Sequence, residues 1–152
     1  MVVIAVWAIL VGTFIAAKCA TAGETGRDGR FIAYDNGTVL DTSSNLMWAA
    51  KDNGSDINWT NAKSYCQNYR GGGYTDWRMP TQVELGNLYD DSVKGHNGYN
   101  LTTLITLTAC CPWTSDAIRS NATRVNFTNG GRRMTPQSAD SGARILPVRS
   151  GK

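Results

Sequence analysis

The sequence has few of the residues from which catalytic and metal sites are usually built. Among its 152 residues there is one histidine, and the four cysteines show no paired metal-ligand spacing. This excludes a typical zinc site. Charged residues make up 18% of the chain, below the roughly 25% typical of globular proteins. With a net charge of only +3, a strongly basic nucleic-acid-binding protein is disfavoured.

The chain also lacks any strongly charged or low-complexity segment, and aromatic residues are frequent. Long disorder is therefore not expected. A length of 152 residues allows one domain of ordinary size but not two. The 16 glycines, together with abundant Asn, Thr and Ser, indicate many turns and loops.

The amino terminus carries an uncharged and mostly apolar run of 16 residues, 2–17. This run is shorter than the ~20 residues that span a bilayer comfortably, and it fits the apolar region of a secretory signal peptide. Ala20-Thr21-Ala22 supplies the small residues that signal peptidase accepts. These features predict a signal peptide over 1–22 and a single domain over 23–152. An uncleaved anchor is the alternative, and Cys19 suggests a lipoprotein as a further one.

Export would place the mature chain in the periplasm, at the cell surface or in the medium, where disulfides form and persist. Cys66, Cys110 and Cys111 remain after cleavage. We expect one disulfide between Cys66 and either Cys110 or Cys111, with one thiol left over. A bridge between the adjacent Cys110 and Cys111 ranks lower, because it would strain the peptide between them.

The pattern of apolar residues and turn signals predicts an α+β fold with two short helices and several short antiparallel strands. Asn36-Gly37 is a turn signal and predicts a β-hairpin within 31–48. Apolar residues at helical spacing predict a helix over 59–69, with Thr60 as its N-cap. The candidate strands in the second half are 104–107, 124–127 and 145–148.

A second helix is predicted to begin at Thr81. Thr81 and Glu84 have the spacing of a capping box, in which each side chain accepts a hydrogen bond from the other residue's amide. Leu85, Leu88 and Tyr89 then form one apolar stripe. This stripe is the face that we expect the helix to bury.

The large aromatic and charged residues of the motif-rich region have structural explanations. Trp48, Trp77 and Trp113 are expected to anchor the core, because each ring buries a large area in a small domain. A sugar-stacking platform is the alternative for these rings. Arg78 is expected to bind backbone carbonyls or to form a partly buried ion pair with Asp76 or Glu84.

No catalytic constellation is visible in the sequence. His96 stands alone in a glycine-rich loop, and the adjacent Asp90-Asp91 pair is typical of a solvated loop. Residues 52–56 resemble half a calcium loop but lack the bidentate glutamate. We therefore expect no enzyme, no cofactor and no metal site. Cys111 is the only candidate for a reactive group.

Charge is distributed unevenly along the mature chain. Residues 24–118 carry seven Lys or Arg and eleven Asp or Glu, whereas residues 119–152 carry seven Lys or Arg and one Asp. Six of the last seven basic residues are Arg, which binds sulfate, phosphate and carboxylate bidentately. The sequence therefore predicts an anion-binding face near the carboxyl end. In the alternative, these arginines point in several directions and pair with the acidic part of the domain.

Four segments in a fixed order carry a family resemblance. They are Asp35 to Thr42 with Leu46-Met47-Trp48, Trp59-Thr60-x-Ala62-x-x-Tyr65-Cys66, Gly72 to Leu85 including Asp76-Trp77-Arg78-Met79-Pro80-Thr81, and Trp113-Thr114-Ser115 with Pro147-Val148-Arg149. Over roughly residues 31–149 the chain resembles the Lcl C-terminal domain family, bacterial extracytoplasmic domains of unknown function. The resemblance implies a C-type-lectin-like fold, distantly similar to sulfatase-modifying-factor domains.

The resemblance also bears on function. Oxidase members of the sulfatase-modifying group hold copper with two separated cysteines, whereas Cys110 and Cys111 are adjacent here, so that chemistry does not carry over. Some members of the Lcl family are implicated in adhesion to sulfated glycans. The predicted function is therefore non-catalytic binding of an anionic glycan or protein at the bacterial envelope or surface, without nucleic acid.

The predicted contact surface consists of loops 90–100 and 110–129 with the basic carboxyl end. The predicted ligand-binding residues are Trp113, Asp116, Arg119, Arg124, Arg132 and Arg133. The alternative function is a structural subunit of a surface appendage or envelope complex. In that case the uncleaved apolar segment would pack among identical subunits, and it would be the only part of the chain to contact a membrane.

Overall fold

A computed structural model describes residues 21–152 of the chain. In this part, two α-helices and nine β-strands form an α+β fold, as the sequence predicts. The apolar segment 2–17 and Cys19 lie outside the described residues, so the predicted signal peptide is not tested. Neither helix within 21–152 has the length and apolar character that a bilayer span needs.

The elements are grouped rather than alternating, with four strands, two helices and then five strands. The strands are β1 Glu24–Asp28, β2 Phe31–Tyr34, β3 Thr38–Asp41, β4 Leu46–Ala49, β5 Cys111–Ile118, β6 Asn121–Val125, β7 Arg132–Pro136, β8 Ala143–Arg144 and β9 Val148–Ser150. The helices are α1 Trp59–Asn68 and α2 Gln82–Leu88, and short 3₁₀ turns lie at Gly71–Gly73 and His96–Gly98.

The first four strands form an antiparallel meander that the last strand completes, in the order β1-β2-β3-β4-β9. The predicted hairpin is β2–β3, and it turns at Asn36-Gly37. Gly37 has a φ of +77°, which glycine adopts without steric cost. The carboxyl-terminal strand β9 pairs with β4, so that Arg149 lies opposite Met47.

The second sheet has the order β7-β6-β5-β8, with β7 at one edge. Strands β5, β6 and β7 are joined by antiparallel hairpins, whereas β8 pairs with β5 in parallel. Helix α2 packs against β5 and β6. The Gln82 amide at the start of α2 donates to Asp116 of β5, so the helix begins beside this strand.

Three strand predictions in the second half need correction. Segment 104–107 is not a strand, because it packs Ile105 and Leu107 into the core and forms only an isolated bridge, at Thr106. The strand predicted at 124–127 is β6, which begins at Asn121 and ends at Val125. The strand predicted at 145–148 is interrupted, because β8 ends at residue 144 and β9 begins at residue 148.

The two helices begin at side-chain caps. The Thr81–Glu84 capping box is confirmed, with the Glu84 amide donating to Thr81 Oγ1 over 3.2 Å and the Thr81 amide donating to Glu84 Oε2 over 2.8 Å. The prediction of Thr60 as the cap of α1 is wrong. Asn58 is the cap, because its Oδ1 accepts from the Asn61 amide over 2.9 Å and the helix has already begun at Trp59.

The core consists of two apolar clusters. The larger cluster lies between the five-stranded sheet, α2 and the segment around residues 101–107, and it contains Trp48 and Trp77. The smaller cluster lies beneath α1 and contains Trp113 with Cys66. All three tryptophans are buried, which confirms them as core residues and leaves no ring face for stacking against a sugar.

The predicted cysteine pairing is wrong. The disulfide joins Cys110 to Cys111, and Cys66 is a buried free thiol. Helix α1 turns Cys66 into the smaller core cluster beside Met79 and Trp113, whereas the disulfide lies partly exposed at the start of β5. Cys66 thus behaves as a small apolar core residue. Burial raises the pKa of its thiol to about 12.

Candidate functional site

The charged residues of the recognised motif stabilise the fold. Arg78 donates to both carboxylate oxygens of Glu84, over 2.8 and 2.7 Å. Arg78 also donates to the Met79 carbonyl over 3.2 Å, so the expected backbone carbonyl contact is confirmed and, of the two expected carboxylates, Glu84 is the partner. The same carboxylate accepts from the Thr81 amide in the capping box. Arg78 and Glu84 together hold the start of α2 against the strand segment that precedes it.

Asp76 pairs with Arg149 instead. Arg149 Nε lies 2.6 Å from Asp76 Oδ1, and Nη2 lies 3.1 Å from Oδ2. The guanidinium also lies 3.8 Å from the centroid of the Tyr74 ring and donates to the Lys152 carbonyl over 3.0 Å. The hydrogen bond from Arg149 holds the pKa of the Asp76 carboxyl below its usual range. This pair ties the third motif segment to the carboxyl-terminal strand.

Exposed arginines and exposed apolar side chains meet in a groove on the second sheet. The groove has a volume of about 470 Å³ and runs from the β5–β6 hairpin across β7 to the start of α2. Its lining includes Asp116, Ile118, Thr123, Arg132, Arg133 and Met134. We call it the β7 groove.

The arginines of the basic carboxyl end divide into two sets. Arg144 pairs with Asp56 over 2.5 Å, and Arg149 pairs with Asp76. The other four form no ion pair with a residue of the described chain, and they are Arg119, Arg124, Arg132 and Arg133. The pairing that the alternative predicts therefore holds for two arginines, whereas the anion-binding face stays a prediction. Two arginines pair with the acidic part of the domain, and four make no ion pair within residues 21–152.

Arg132 and Arg133 are the two unpaired arginines that line the β7 groove. Both are exposed on β7. The guanidinium of Arg132 lies against α2 at Gly86, where a Cβ atom would approach its Nη2 within 2.6 Å. The absence of a side chain at Gly86 thus provides the space in which this guanidinium lies.

The groove also exposes apolar surface. Ile118 is 69% exposed and Met134 is 44% exposed, and both line it. Val83, which is 59% exposed, follows the groove residue Gln82 on α2. These are the large apolar side chains that residues 21–152 leave in solvent. Clustered exposed apolar residues with a polar rim are typical of interaction sites.

Two of the predicted ligand-binding residues are engaged in internal contacts instead, Trp113 fully buried and Arg124 partly buried. Trp113 is 0% exposed, and its Nε1 donates to the Ile57 carbonyl over 2.8 Å. Arg124 lies over the Trp113 ring, 4.2 Å from its centroid, and donates to the carbonyls of Ala139 and Ser141. Neither residue lines the β7 groove. Burial lowers the pKa of Arg124, as expected for a charge stacked on a core ring.

The remaining predicted residues lie at or near the groove. Asp116 lines it, and its Oδ2 accepts from the Gln82 amide over 2.7 Å, which fixes β5 to the first turn of α2. Arg119 is exposed in the β5–β6 turn with a φ of +54°. The groove contains no residue of the predicted contact loop 90–100. The structure thus brings together Asp116, Arg132 and Arg133.

Sequence reasoning missed Ile118 and Met134 as groove residues. Met134 is a single apolar residue between polar neighbours, in Arg-Arg-Met-Thr, and Ile118 has only Ala117 beside it between Asp116 and Arg119. Such short apolar patterns are also found in half-buried strands. Only the position of β7 at the sheet edge shows that Met134 remains exposed. The signal that the sequence offered for this surface was the apolar Met134 directly after two arginines, Arg132 and Arg133.

The acidic residues considered for metal binding serve other contacts. Asp52 accepts from the Thr108 amide over 2.6 Å and from the Gly54 amide over 2.9 Å, so internal donors occupy this carboxylate. Within residues 21–152, no three His, Cys, Asp or Glu side chains lie close enough together to hold a metal ion.

Comparison with known proteins identifies the domain. The model of the Lcl C-terminal domain matches residues 37–149, which is most of the chain and agrees with the resemblance of its motifs. No curated protein matches the chain. The α+β topology agrees with the fold class that the resemblance implies, while the C-type-lectin-like arrangement stays a prediction. The chain belongs to the Lcl C-terminal domain family.

Proposed function

We propose that the chain is a non-catalytic binding domain, exported to the envelope or surface of a bacterium, that recognises an anionic glycan or protein through the β7 groove. One observation carries this proposal. Arg132 and Arg133 are exposed and free of carboxylate partners within the described chain, and they stand beside the exposed Ile118 and Met134.

This combination suits an anionic ligand with some apolar surface. Guanidinium groups bind carboxylates and sulfates bidentately, and they retain their affinity only when no internal carboxylate competes. Burial of Ile118 and Met134 by the ligand would remove apolar area from water. The rim charges would speed association and select for negative charge.

The surroundings favour a long ligand over a single small anion. A second cleft of about 420 Å³ is lined by Trp59, Lys63 and Arg78, and it shares Ser115 with the β7 groove. The two clefts thus meet at the start of α2. A chain-like molecule, either a glycan or a polypeptide, could follow both.

Binding to defined anionic polymers tests the proposal. Affinity for a heparin-derived oligosaccharide and for poly-L-glutamate would be measured for the protein as purified from its native envelope. The Arg132→Ala/Arg133→Ala variant should bind at least one of these probes roughly tenfold more weakly, since a charge-assisted hydrogen bond contributes about 1.5–3 kcal/mol. Intact mass spectrometry of the same sample tests export, for which a mass beginning at Gly23 is expected.

A matched control separates the groove from general charge. Lys51→Ala/Lys152→Ala removes the same two positive charges at exposed positions away from the groove. This variant should bind as the wild-type protein does. Equal losses in both variants, or an unaffected Arg132→Ala/Arg133→Ala variant, would contradict a binding site in the β7 groove.

A further inference from the structure

β7 is the outer strand of its sheet. The sheet has the order β7-β6-β5-β8, and β7 pairs only with β6. Four of its five residues are exposed, with Thr135 half-buried. An edge strand presents unpaired backbone donors and acceptors with which a further strand can pair.

Hydrogen bonds at the two ends of the β6–β7 hairpin show which backbone groups face β6. The amide of Asn126 donates to the Gly131 carbonyl, and the amide of Gln137 donates to the Ser120 carbonyl, both over 2.8 Å. In an antiparallel ladder, hydrogen-bonded pairs alternate with pairs that are not hydrogen-bonded. The register therefore assigns every second residue of β7 to the outer edge.

The backbone N–H and C=O groups of Arg132 and Met134 point to the open edge, whereas those of Arg133 and Thr135 point to β6. The N–H and C=O groups of Arg132 and Met134 take part in no turn, loop or cap hydrogen bond among residues 21–152. Pro136 ends the strand, and its carbonyl accepts from the Ala139 amide. Two residues with four backbone groups thus form a short, open edge.

We propose that the ligand of the β7 groove is an acidic polypeptide segment that adds to this edge as a further strand. The inference rests on the proposed function and narrows it from an anionic glycan or protein to a peptide. A donor and an acceptor alternate along the open edge at the spacing of a β-strand, and a polypeptide backbone repeats both groups at that spacing.

The side chains of β7 specify the composition of that strand. Arg132 and Met134 share the face on which Met134 Sδ lies 3.0 Å from Thr123 Oγ1, whereas Arg133 belongs to the opposite face of β7 and lines both the β7 groove and a cleft beside Thr135. Residues directly opposite in paired strands share a face. The added strand therefore carries an acidic residue opposite each arginine and an apolar residue opposite Met134.

The same arginines disfavour a second copy of β7 as the occupant. Pairing β7 with its own copy would place four arginines on two adjacent strands of five residues each, and like charges that lie close together on adjacent strands are destabilising. Charges on an edge strand generally prevent such self-pairing. An acidic strand removes this repulsion.

Synthetic peptides test the proposal on the full protein. One capped peptide contains Thr-Val-Glu-Glu, which in antiparallel pairing lies opposite Thr135, Met134, Arg133 and Arg132, and a second contains the reversed order for parallel pairing. Each is compared with its D-enantiomer, which carries the same charge but cannot form the same ladder. We expect one L-peptide to bind at least tenfold more tightly than its D-enantiomer.

A backbone variant tests the edge directly. Met134→Pro removes an outward N–H, costs no backbone hydrogen bond to β6 and keeps both arginines, and proline is tolerated at such edge positions. It also removes the contact of Met134 Sδ with Thr123 Oγ1, which Met134→Ala removes as well. Met134→Pro should weaken peptide binding at least tenfold, while Met134→Ala causes a smaller loss. If Met134→Pro does not fold, the wild-type protein is tested with peptides N-methylated at the amides that face β7, which should bind at least tenfold more weakly.

The outcomes separate the two proposals. Equal binding of L- and D-peptides, or full binding by Met134→Pro, would overturn strand addition and leave charge recognition in the groove. Binding of the heparin-derived oligosaccharide without binding of either L-peptide would assign the groove to a glycan instead. Failure of every anionic probe would overturn the proposed function together with the peptide.

Discussion

Removal of the Arg149 side chain should cost more stability than removal of its partner's charge. Arg149 is 6% exposed and makes two hydrogen bonds to Asp76, one to the Lys152 carbonyl and a cation–π contact with Tyr74. The Asp76 side chain is 57% exposed, so its ion pair is discounted to about 1 kcal/mol. The carbonyl hydrogen bond and the cation–π contact each add about 1 kcal/mol. Arg149→Ala should therefore lower the free energy of unfolding by about 3 kcal/mol.

Asp76→Asn should cost only about 1 kcal/mol, because Arg149 keeps its other partners and Asp76 is largely solvated. The folded-state pKa of Asp76 is lowered by Arg149, so this contribution is fully present above the unfolded pKa of about 3.9. It is lost as the pH falls through the folded-state pKa. The difference between wild type and Asp76→Asn should therefore shrink in acid.

Urea denaturation at neutral and acidic pH measures both effects. Arg27→Ala is the control, because Arg27 pairs with Glu24 on an exposed strand. This variant should leave the free energy of unfolding unchanged. The reasoning is refuted if Arg149→Ala costs no more than Asp76→Asn at neutral pH. It is also refuted if the cost of Asp76→Asn is independent of pH down to the acid transition.

Two further predictions concern residues whose roles the structure reassigns. Asp116→Ala should destabilise the protein by about 1 kcal/mol in thermal unfolding, because its carboxylate accepts from the Gln82 amide at the start of α2, and it should leave anion binding undiminished. A loss of binding without a loss of stability would show that Asp116 contacts the ligand. The Cys66 thiol should react with a thiol reagent at pH 8 only as the protein unfolds, since it is buried and burial raises its pKa to about 12. Fast labelling of the native protein would contradict the burial of Cys66.

The features that could be predicted from the sequence are those that neighbouring residues determine. The Asn36-Gly37 turn needs only residues that tolerate positive φ, and the Thr81–Glu84 capping box needs only a fixed spacing. The burial of Trp48 follows from its size in a small domain. These local rules also identified α+β as the fold class.

The features that could not be predicted depend on which distant segments meet. Strand β7 has no apolar alternation, since it lies at an edge, and its pairing with β6 makes it a strand. The disulfide depends on the direction in which α1 turns Cys66, which its spacing from Cys110 and Cys111 does not reveal. Arg124 illustrates the same limit for charge, because a stacked arginine and an exposed one look alike in a basic segment.

The residues that identify the family and the residues that form the groove are largely different. Asp76, Trp77 and Arg78 belong to the recognised motif, and they bind Arg149, the core and Glu84. Arg132 and Met134 belong to no recognised motif segment, yet they line the β7 groove. The motif therefore specifies the scaffold that holds the sheet and α2 together. Since function resides in sites carried by a fold, domains sharing this motif should differ in ligand wherever their edge strands differ in charge and apolar residues.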